Sequence, residues 1–497
     1  MSEENYLLAI DEGTTSTRSL MFDPSGRLLA SAQKEFSQNY PHPGWVEHDP
    51  QEIWRDVVQT AREAIAKSKS PVAIGIANQR ETVVVWDRAT GAPIYPAIVW
   101  QDRRTAGECE RLRRTGAEEL VRARTGLLLD PYFSATKLAW ILDNVNGARK
   151  QAEQGKLAFG TIDSFLLWHL TGGAVHATDA TNASRTMLFD IHRQCWDGEL
   201  LRLFDIPEPL LAEVHDNAHL YGTTAPGLFD VQIPIAGLAG DQHAAMIGQA
   251  CFEPGMVKAT FGTGCFALLN TGQKLLSPAK GTLSTMAYRL KGQSIFAAEG
   301  SVFVAGAAIK WLRDGLGFLT EAAQSGSIAA GLAGNQGVYL VPAFAGLGAP
   351  YWDPRAKGLI CGLTLESKPA HIVRAALESV AYQAFDLLQA MTGDGVLGVP
   401  RTLRVDGGMA ANDWFCQFLA NVLATPVERP IMLEATAQGA AFLAGLTLGV
   451  FPDLAAISST WELGGRFEPR MDAAEREQLL NGWRTAIQRT LVRDTPS

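Results

Sequence analysis

Apolar residues fill Tyr6 to Asp11, which predicts a strand, and Glu12-Gly13-Thr14-Thr15 follows as a turn. Ser16 to Phe22 predicts a second strand, Asp23-Pro24-Ser25-Gly26 a second turn, and Arg27 to Lys34 a third strand. The period then changes. From Pro50 to Lys67 the apolar positions Ile53, Val57, Ala61, Ala64 and Ile65 recur at helical spacing, with Asp49 as N-cap before Pro50. Val72 to Ala77 returns to strand and leads into Asn78-Gln79-Arg80-Glu81.

A weaker copy of this pattern lies midway. Met256 to Phe261 predicts a strand, Gly262-Thr263-Gly264 a tight turn, and Cys265 to Asn270 a returning strand. Thr271-Gly272 turns again, two more strands follow, and a helix is expected around Ser301 to Arg313. The same strand, Gly-Thr turn, strand unit thus opens both halves. The expected fold is α/β, with two duplicated domains, residues 1–249 and 250–497, meeting near Gly248 to Pro254 around a cleft that is a natural ligand site.

A length of 497 residues calls for more than one core, and 47% hydrophobic with 19% charged residues supplies material for both. The net charge of -9 argues against nucleic-acid binding, which needs a basic face. Arg111, Arg113 and Arg114 stand among acids and read as a solvated helix face. The polar start, Met1 to Asn5, does not read as a signal peptide. The uncharged stretch Ala435 to Phe451 is short and interrupted by Gly439, Gly445 and Gly449, so a buried helix is expected rather than membrane insertion. Six cysteines without metal or CxxC spacing fit buried thiols in a reducing compartment, the cytoplasm.

Three loops carry candidate chemistry. In Asp11-Glu12-Gly13-Thr14-Thr15-Ser16-Thr17-Arg18 a strand-end carboxylate precedes a Gly turn, hydroxyls and a cation. Turn amides and hydroxyls suit phosphate oxygens, and Asp11 suits Mg²⁺, which keeps most of its waters. In Ala236-Gly237-Leu238-Ala239-Gly240-Asp241-Gln242, placed after a strand Val231 to Ile235, small residues present Asp241, which could accept a hydroxyl proton. Taken alone, Asp241 is better read as the cap of a helix beginning at Gln242. In Arg404-Val405-Asp406-Gly407-Gly408 through Asp413 a strand enters a Gly pair and then a helix, whose N-terminus can face a nucleotide. The order of these loops, with Thr260 to Gly264 between the last two, resembles the actin, hexokinase and Hsp70 superfamily: ribonuclease H-like domains closing on ATP and Mg²⁺.

Longer strings sharpen the resemblance. Tyr132 to Asn144, and Gly358 to Leu363 continuing through His371 to Glu378, resemble the two signatures of the FGGY carbohydrate kinases. Pro43 to Pro50, Asn78 to Thr82, Val99 to Thr105, Thr178 to Thr186 and Pro342 to Pro354 resemble, within that family, the kinases of glycerol. The resemblance covers nearly the whole chain. It implies an ATP-dependent phosphorylation of glycerol to sn-glycerol 3-phosphate by a cytoplasmic homo-oligomer, dimer or tetramer, with glycerol and the phosphate loop in the first domain and the nucleotide in the second.

Residue by residue, the family's glycerol contacts match Arg80, Glu81, Trp100, Tyr132, Asp241, Gln242 and Phe266, with Asp241 catalytic and Asp11 and Asp241 at the metal. Without that context, Arg80-Glu81 would read as a surface ion pair, and Tyr132 or Trp100 as core. The nucleotide positions match Thr14, Thr15, Ser16, Arg18, Thr263, Gly306, Gly408 and Asn412. One position departs: Lys310 stands among the nucleotide positions where several relatives carry Gln, and since an ammonium only donates where an amide also accepts, it is expected to touch the nucleotide differently, the alternative being a solvated helix lysine. Relatives inhibited by fructose 1,6-bisphosphate carry an Arg where this chain reads Thr223 to Gln232 without one. Relatives activated by His phosphorylation carry the His where this chain has Gly227, while His219 is out of register. Two alternatives stay open, an FGGY kinase of xylulose, erythritol or another small sugar, and an actin- or Hsp70-like ATPase without a polyol pocket.

Overall fold

A computed structural model describes residues 5–276, 281–353, 355–392 and 400–491; Met1 to Glu4 and Pro354, which entered the sequence reading, lie outside them. The opening elements form as expected. The strands β1 (Leu7–Glu12), β2 (Ser16–Phe22) and β3 (Leu28–Glu35) make an antiparallel meander. Helix α1 (Pro50–Ala66) starts where the Asp49 side chain accepts from the Gln51 amide at 2.9 Å. That cap satisfies a free amide, and Pro50 sits where no amide hydrogen is needed.

The first half continues through β4 (Ala73–Asn78), α2 (Ser134–Asn144), the single turn α3 (Ala180–Ala183), β5 (Ala218–Thr223), β6 (Pro234–Gly240) and α4 (Asp241–Gly248). The second opens on β7 (Val257–Phe261), β8 (Cys265–Gly272), β9 (Leu283–Leu290), β10 (Gln293–Val302) and α5 (Gly306–Asp314). The long α6 (Pro369–Met391) follows, then β11 (Leu403–Asp406), α7 (Asp413–Leu423), β12 (Val427–Pro430), α8 (Ala435–Thr447) and β13 (Leu463–Phe467).

Among the described residues one sheet runs β5-β6-β4-β1-β2-β3 and the other β9-β10-β8-β7-β11-β12-β13. From the β13 edge, the second repeats the first strand for strand. An antiparallel edge strand (β5 or β13) precedes two parallel neighbours (β6-β4 or β12-β11), the hairpin (β1-β2 or β7-β8) and a third antiparallel strand (β3 or β10). The faint repeat in the sequence is therefore a repeat of topology, except that β5 precedes its neighbour in the chain and β13 follows its own. β1 is buried on both faces, which is why it reads as a continuous apolar run rather than an alternation.

Helices α4 and α8 lie between the two sheets. Their apolar side chains share one buried cluster with Leu7 and Ala9 of β1, Leu268 of β8 and Ala297 of β10. The approach is close enough to dictate small residues. A Cβ on Gly75 would stand 2.0 Å from the Ala440 carbonyl oxygen, and one on Gly439 1.8 Å from that of Ala244. This corrects two expectations. The strand foreseen over Val231 to Ile235 is β6, so the small residues Ala236 to Gly240 are the strand itself, kept small to admit α8. The helix foreseen around Ser301 begins only at Gly306, because β10 continues its ladder with β8 to Val302. The buried helix expected from Ala435 is α8, which ends at Thr447.

Candidate functional site

Parallel register lines up three strand ends: Glu12 of β1 pairs with Asn78 of β4, and Asn78 with Gly240 of β6. The residues just beyond those ends, Gly13 to Ser16, Gln79 to Glu81 and Asp241, must therefore converge. The Gln79 amide group donates to the Gly13 carbonyl at 2.9 Å, tying two of the loops together. In the second sheet Thr260 of β7 pairs with Asp406 of β11, so Gly262 to Gly264 and Gly407-Gly408 meet in the same way. Open ends of parallel strands are the usual ligand crevice of such sheets.

Arg80 and Glu81 are buried, not a surface ion pair. The Arg80 Nε lies 3.1 Å from Asp241 Oδ1, and its two terminal nitrogens each lie 2.9 Å from one oxygen of Glu299. Its Nη2 also reaches the Tyr132 hydroxyl at 3.4 Å. Glu81, held at a φ of 62°, pairs with Arg185 Nε at 2.6 Å. Burial pushes Glu81 above its ordinary pKa, with Arg185 and Arg80 opposing it. Burial also works against ionised Glu299, but Arg185 and Arg80 outweigh it and hold the carboxyl below its ordinary value.

Three aromatic rings border this charged floor. Trp100 meets Tyr132 edge-on with centroids 5.6 Å apart and Phe266 edge-on at 6.2 Å. Phe266 comes from β8, so the second half supplies this wall. The Trp100 indole N–H donates to Thr14 Oγ1 at 2.9 Å, linking the apolar wall to the first Gly loop. The helix α4 begins at Asp241 itself, one residue earlier than expected, with Gly240 as the N-cap residue, and the Asp241 Oδ1 accepts from the first-turn Gln242 amide at 2.6 Å. The Asp241 carboxylate therefore sits at the positive end of α4, partly exposed and beside Arg80. Next to it, the Gln242 side-chain oxygen accepts from buried Lys258, which also donates to Thr260 Oγ1 at 2.9 Å. With that oxygen taken, the amide nitrogen of Gln242 is left as its donor.

Asp11 is buried, and its carboxylate pairs with Arg18, which lies 2.5 Å from Glu434 on its other side. Burial raises the Asp11 pKa; Arg18 opposes the shift, and the charge of Asp241 adds to it. Two carboxylates that feel one another in this way fit a divalent cation with few protein ligands. Among the described residues no group of three or more His, Cys, Asp or Glu could hold a metal. Thr15 is exposed, and Ser16 accepts from Gln33 at 3.2 Å.

The second-half loops assemble around α5. The Gly262 carbonyl accepts from the Gly306 amide at 2.9 Å, and the Thr263 carbonyl from Ala305 and Ala307 at 2.9 and 3.1 Å. Gly408 has open space on its Cβ side. Asn412 is the N-cap of α7, its side-chain oxygen accepting from the Phe415 amide at 3.1 Å, and its amide nitrogen lies 3.4 Å from Ser325 Oγ. Lys310 is exposed on α5. The expected site residues thus fall into two groups, a charged and aromatic floor and a ring of Gly and hydroxyl loops.

Arg185, Glu299 and Lys258 escaped the sequence reading as site residues. All three are buried charges, and Lys258 and Glu299 each interrupt an apolar strand stretch, Val257 to Ala259 and Ala297 to Gly300. That interruption was the available signal. The basic trio did resolve as expected, with Arg111 pairing with Glu108, and Arg113 and Arg114 with Glu110. No helix among the described residues is long and apolar enough to cross a membrane.

Comparison with known proteins agrees with this architecture. A glycerol kinase of Gluconobacter oxydans is 58% identical over 100% of this chain and 97% of its own. The crystal structure of Plasmodium falciparum glycerol kinase with ADP superposes with a TM-score of 0.93 at 35% identity, covering 99% of each chain. Gluconate kinase from Lactobacillus acidophilus, at 20% identity and a TM-score of 0.87 over 98% of this chain and 97% of its own, shares the fold. Residues 6–248 match the N-terminal domain of the FGGY family of carbohydrate kinases and residues 257–448 its C-terminal domain, so the chain belongs to that family.

Proposed function

We propose that this protein phosphorylates glycerol with ATP, giving sn-glycerol 3-phosphate and ADP. The observation that carries the reading is the small floor where Arg80, Glu81, Tyr132 and Asp241 converge beside the rings of Trp100 and Phe266. A three-carbon triol needs donors and acceptors for its hydroxyls and flat apolar faces for its carbons. Full-length likeness to proteins named glycerol kinase supports the same substrate.

In this reading Arg80 and Glu81 hold glycerol hydroxyls, Gln242 donates to one from its amide nitrogen, and Trp100 and Phe266 flank the carbon chain. Asp241 accepts the proton of the reacting hydroxyl as its oxygen bonds to the γ-phosphorus. The bond to the bridging oxygen breaks, and ADP leaves with the electron pair. Thr14, Thr15, Ser16 and Arg18 face the phosphates, while Thr263, Gly306, Lys310, Gly408 and Asn412 line the remainder of the nucleotide site. Asp11 and Asp241 are the residues that would hold Mg²⁺, which neutralises phosphate charge when bound. Closure of the cleft excludes water and limits ATP hydrolysis.

A coupled assay of ADP release across glycerol, dihydroxyacetone, erythritol and xylulose tests the proposal. Glycerol should give a much higher kcat/KM than the four- and five-carbon substrates, because a longer chain must displace Trp100 or Phe266 or leave Glu81 unpaired. Equal turnover of xylulose or erythritol overturns it.

A further inference from the structure

Behind the substrate floor lies a pair of charges that no ligand can reach. Arg185 is 0% exposed and the Glu299 side chain 1%. Arg185 Nε lies 2.6 Å from Glu81, its Nη1 and Nη2 lie 2.9 and 3.3 Å from the two oxygens of Glu299, and its guanidinium stands 5.6 Å from the Tyr132 ring centroid. Glu299 in turn takes both terminal nitrogens of Arg80. One arginine therefore touches Glu81 and Tyr132 directly and Arg80 through a single carboxylate.

The chain geometry makes this link structural in origin and functional in effect. Arg185 follows α3, Glu81 follows β4, and Glu299 belongs to β10 in the other sheet. Glu81 also sits at a positive φ, a conformation that persists only where surrounding contacts hold it.

We infer that Arg185 and Glu299 are the positioning pair that keeps Glu81 and Arg80 in their binding geometry, an inference that rests on the polyol site proposed above. The groups facing Glu81 are the guanidiniums of Arg80 and Arg185, the Lys137 amine, which burial pushes down to about 7, the Glu299 carboxylate and the Tyr132 phenol. Burial favours a neutral Glu81, and Arg185 is its nearest opposing charge. Without Arg185 one opposing charge fewer works against burial, which shifts the carboxyl toward its protonated form, a donor where an acceptor is needed.

The test compares Arg185→Met, Arg185→Lys and Glu299→Gln with the parent, using whichever polyol of the panel the parent turns over best. A parent that prefers xylulose or erythritol thus overturns the substrate reading alone, and the positioning comparison proceeds on that polyol. Arg185→Met should raise the polyol KM on the order of 10²-fold, the scale of a misplaced binding group, with the ATP KM near the parent's. Its polyol KM should fall with rising pH more steeply than the parent's does, because the Glu81 carboxyl holds its proton more tightly once Arg185 is gone. Arg185→Lys keeps the charge without the fork and should restore the parental pH profile with only part of the affinity. Glu299→Gln keeps the shape and should raise the polyol KM through Arg80. Melting temperatures separate folding losses, and crystal structures of the variants read the geometry without turnover. Displacement of Glu81 or Arg80 beyond about 0.5 Å supports the inference. Superposable side chains with a parental polyol KM, or equal losses for polyol and ATP that Arg185→Lys does not relieve, overturn it.

Discussion

Replacing Asp241 with Asn separates chemistry from architecture at the most informative position. The substitution keeps size and a hydrogen-bonding oxygen but removes the negative charge and the capacity to accept a proton. A positioned general base contributes about 10²–10⁴-fold, so kcat should fall by that factor, equivalent to roughly 3–5 kcal/mol of barrier. In a loose phosphoryl-transfer transition state the proton leaves late, which favours the lower part of that range and makes hydroxyl orientation a share of the loss. The stability cost should be small. Gly240, not Asp241, is the N-cap residue of α4, and Arg80 keeps both contacts to Glu299 when Asp241 loses its charge. The Asn oxygen can still accept from the Gln242 amide, as Asp241 Oδ1 does at 2.6 Å, so what is lost is one partly exposed ion pair at 3.1 Å and a helix-end charge, on the order of 1 kcal/mol. Single-turnover transfer from ATP to glycerol, run beside thermal unfolding, gives both quantities. Expected are a large fall in rate, nearly intact ATP binding, glycerol binding weakened less than kcat, and a melting point close to the parent's. An Asn variant that melts early yet transfers phosphate at close to the parental rate refutes Asp241 as the base.

Three further outcomes are expected. Millimolar fructose 1,6-bisphosphate should leave the rate unchanged, because the stretch Thr223 to Gln232 has no arginine and the nearby Arg62 spends Nε and Nη2 on the Leu228 carbonyl at 3.2 and 2.9 Å; dose-dependent inhibition counts against this. Gly439→Ala should lower the melting temperature, by roughly 1–3 kcal/mol of overpacking, since its Cβ would stand 1.8 Å from the Ala244 carbonyl oxygen; an unchanged melting curve contradicts it. Asp163, pushed up to about 7 by burial and then by the charge of Asp179, binds a proton in the folded state that the unfolded chain releases near pH 4. Its stabilisation is thus complete below about pH 4 and lost as pH rises through 7, so parental stability relative to Asp163→Asn should decline from pH 5 to pH 8. Equal pH slopes for the two proteins tell against it.

Local patterns that depend only on neighbours in the chain were readable directly. The meander Ser16 to Phe22, the Asp49 cap before Pro50 and the Gly-rich turns obey steric and hydrogen-bonding rules that act over a few residues. The family strings located Arg80, Glu81, Trp100, Tyr132, Asp241 and Phe266, and the fold brings them together. What the chain could not disclose by itself was partnership at long range. Ala236 to Gly240 looks like a flexible loop until α8, some 200 residues later, lies against it and makes smallness a packing requirement. Arg185 and Glu299 drew no reading as site residues, because burial of a charge is tolerable only when opposite charges arrive with it. Those partners come from three separate elements and from both sheets, so their pairing exists only once the topology is complete.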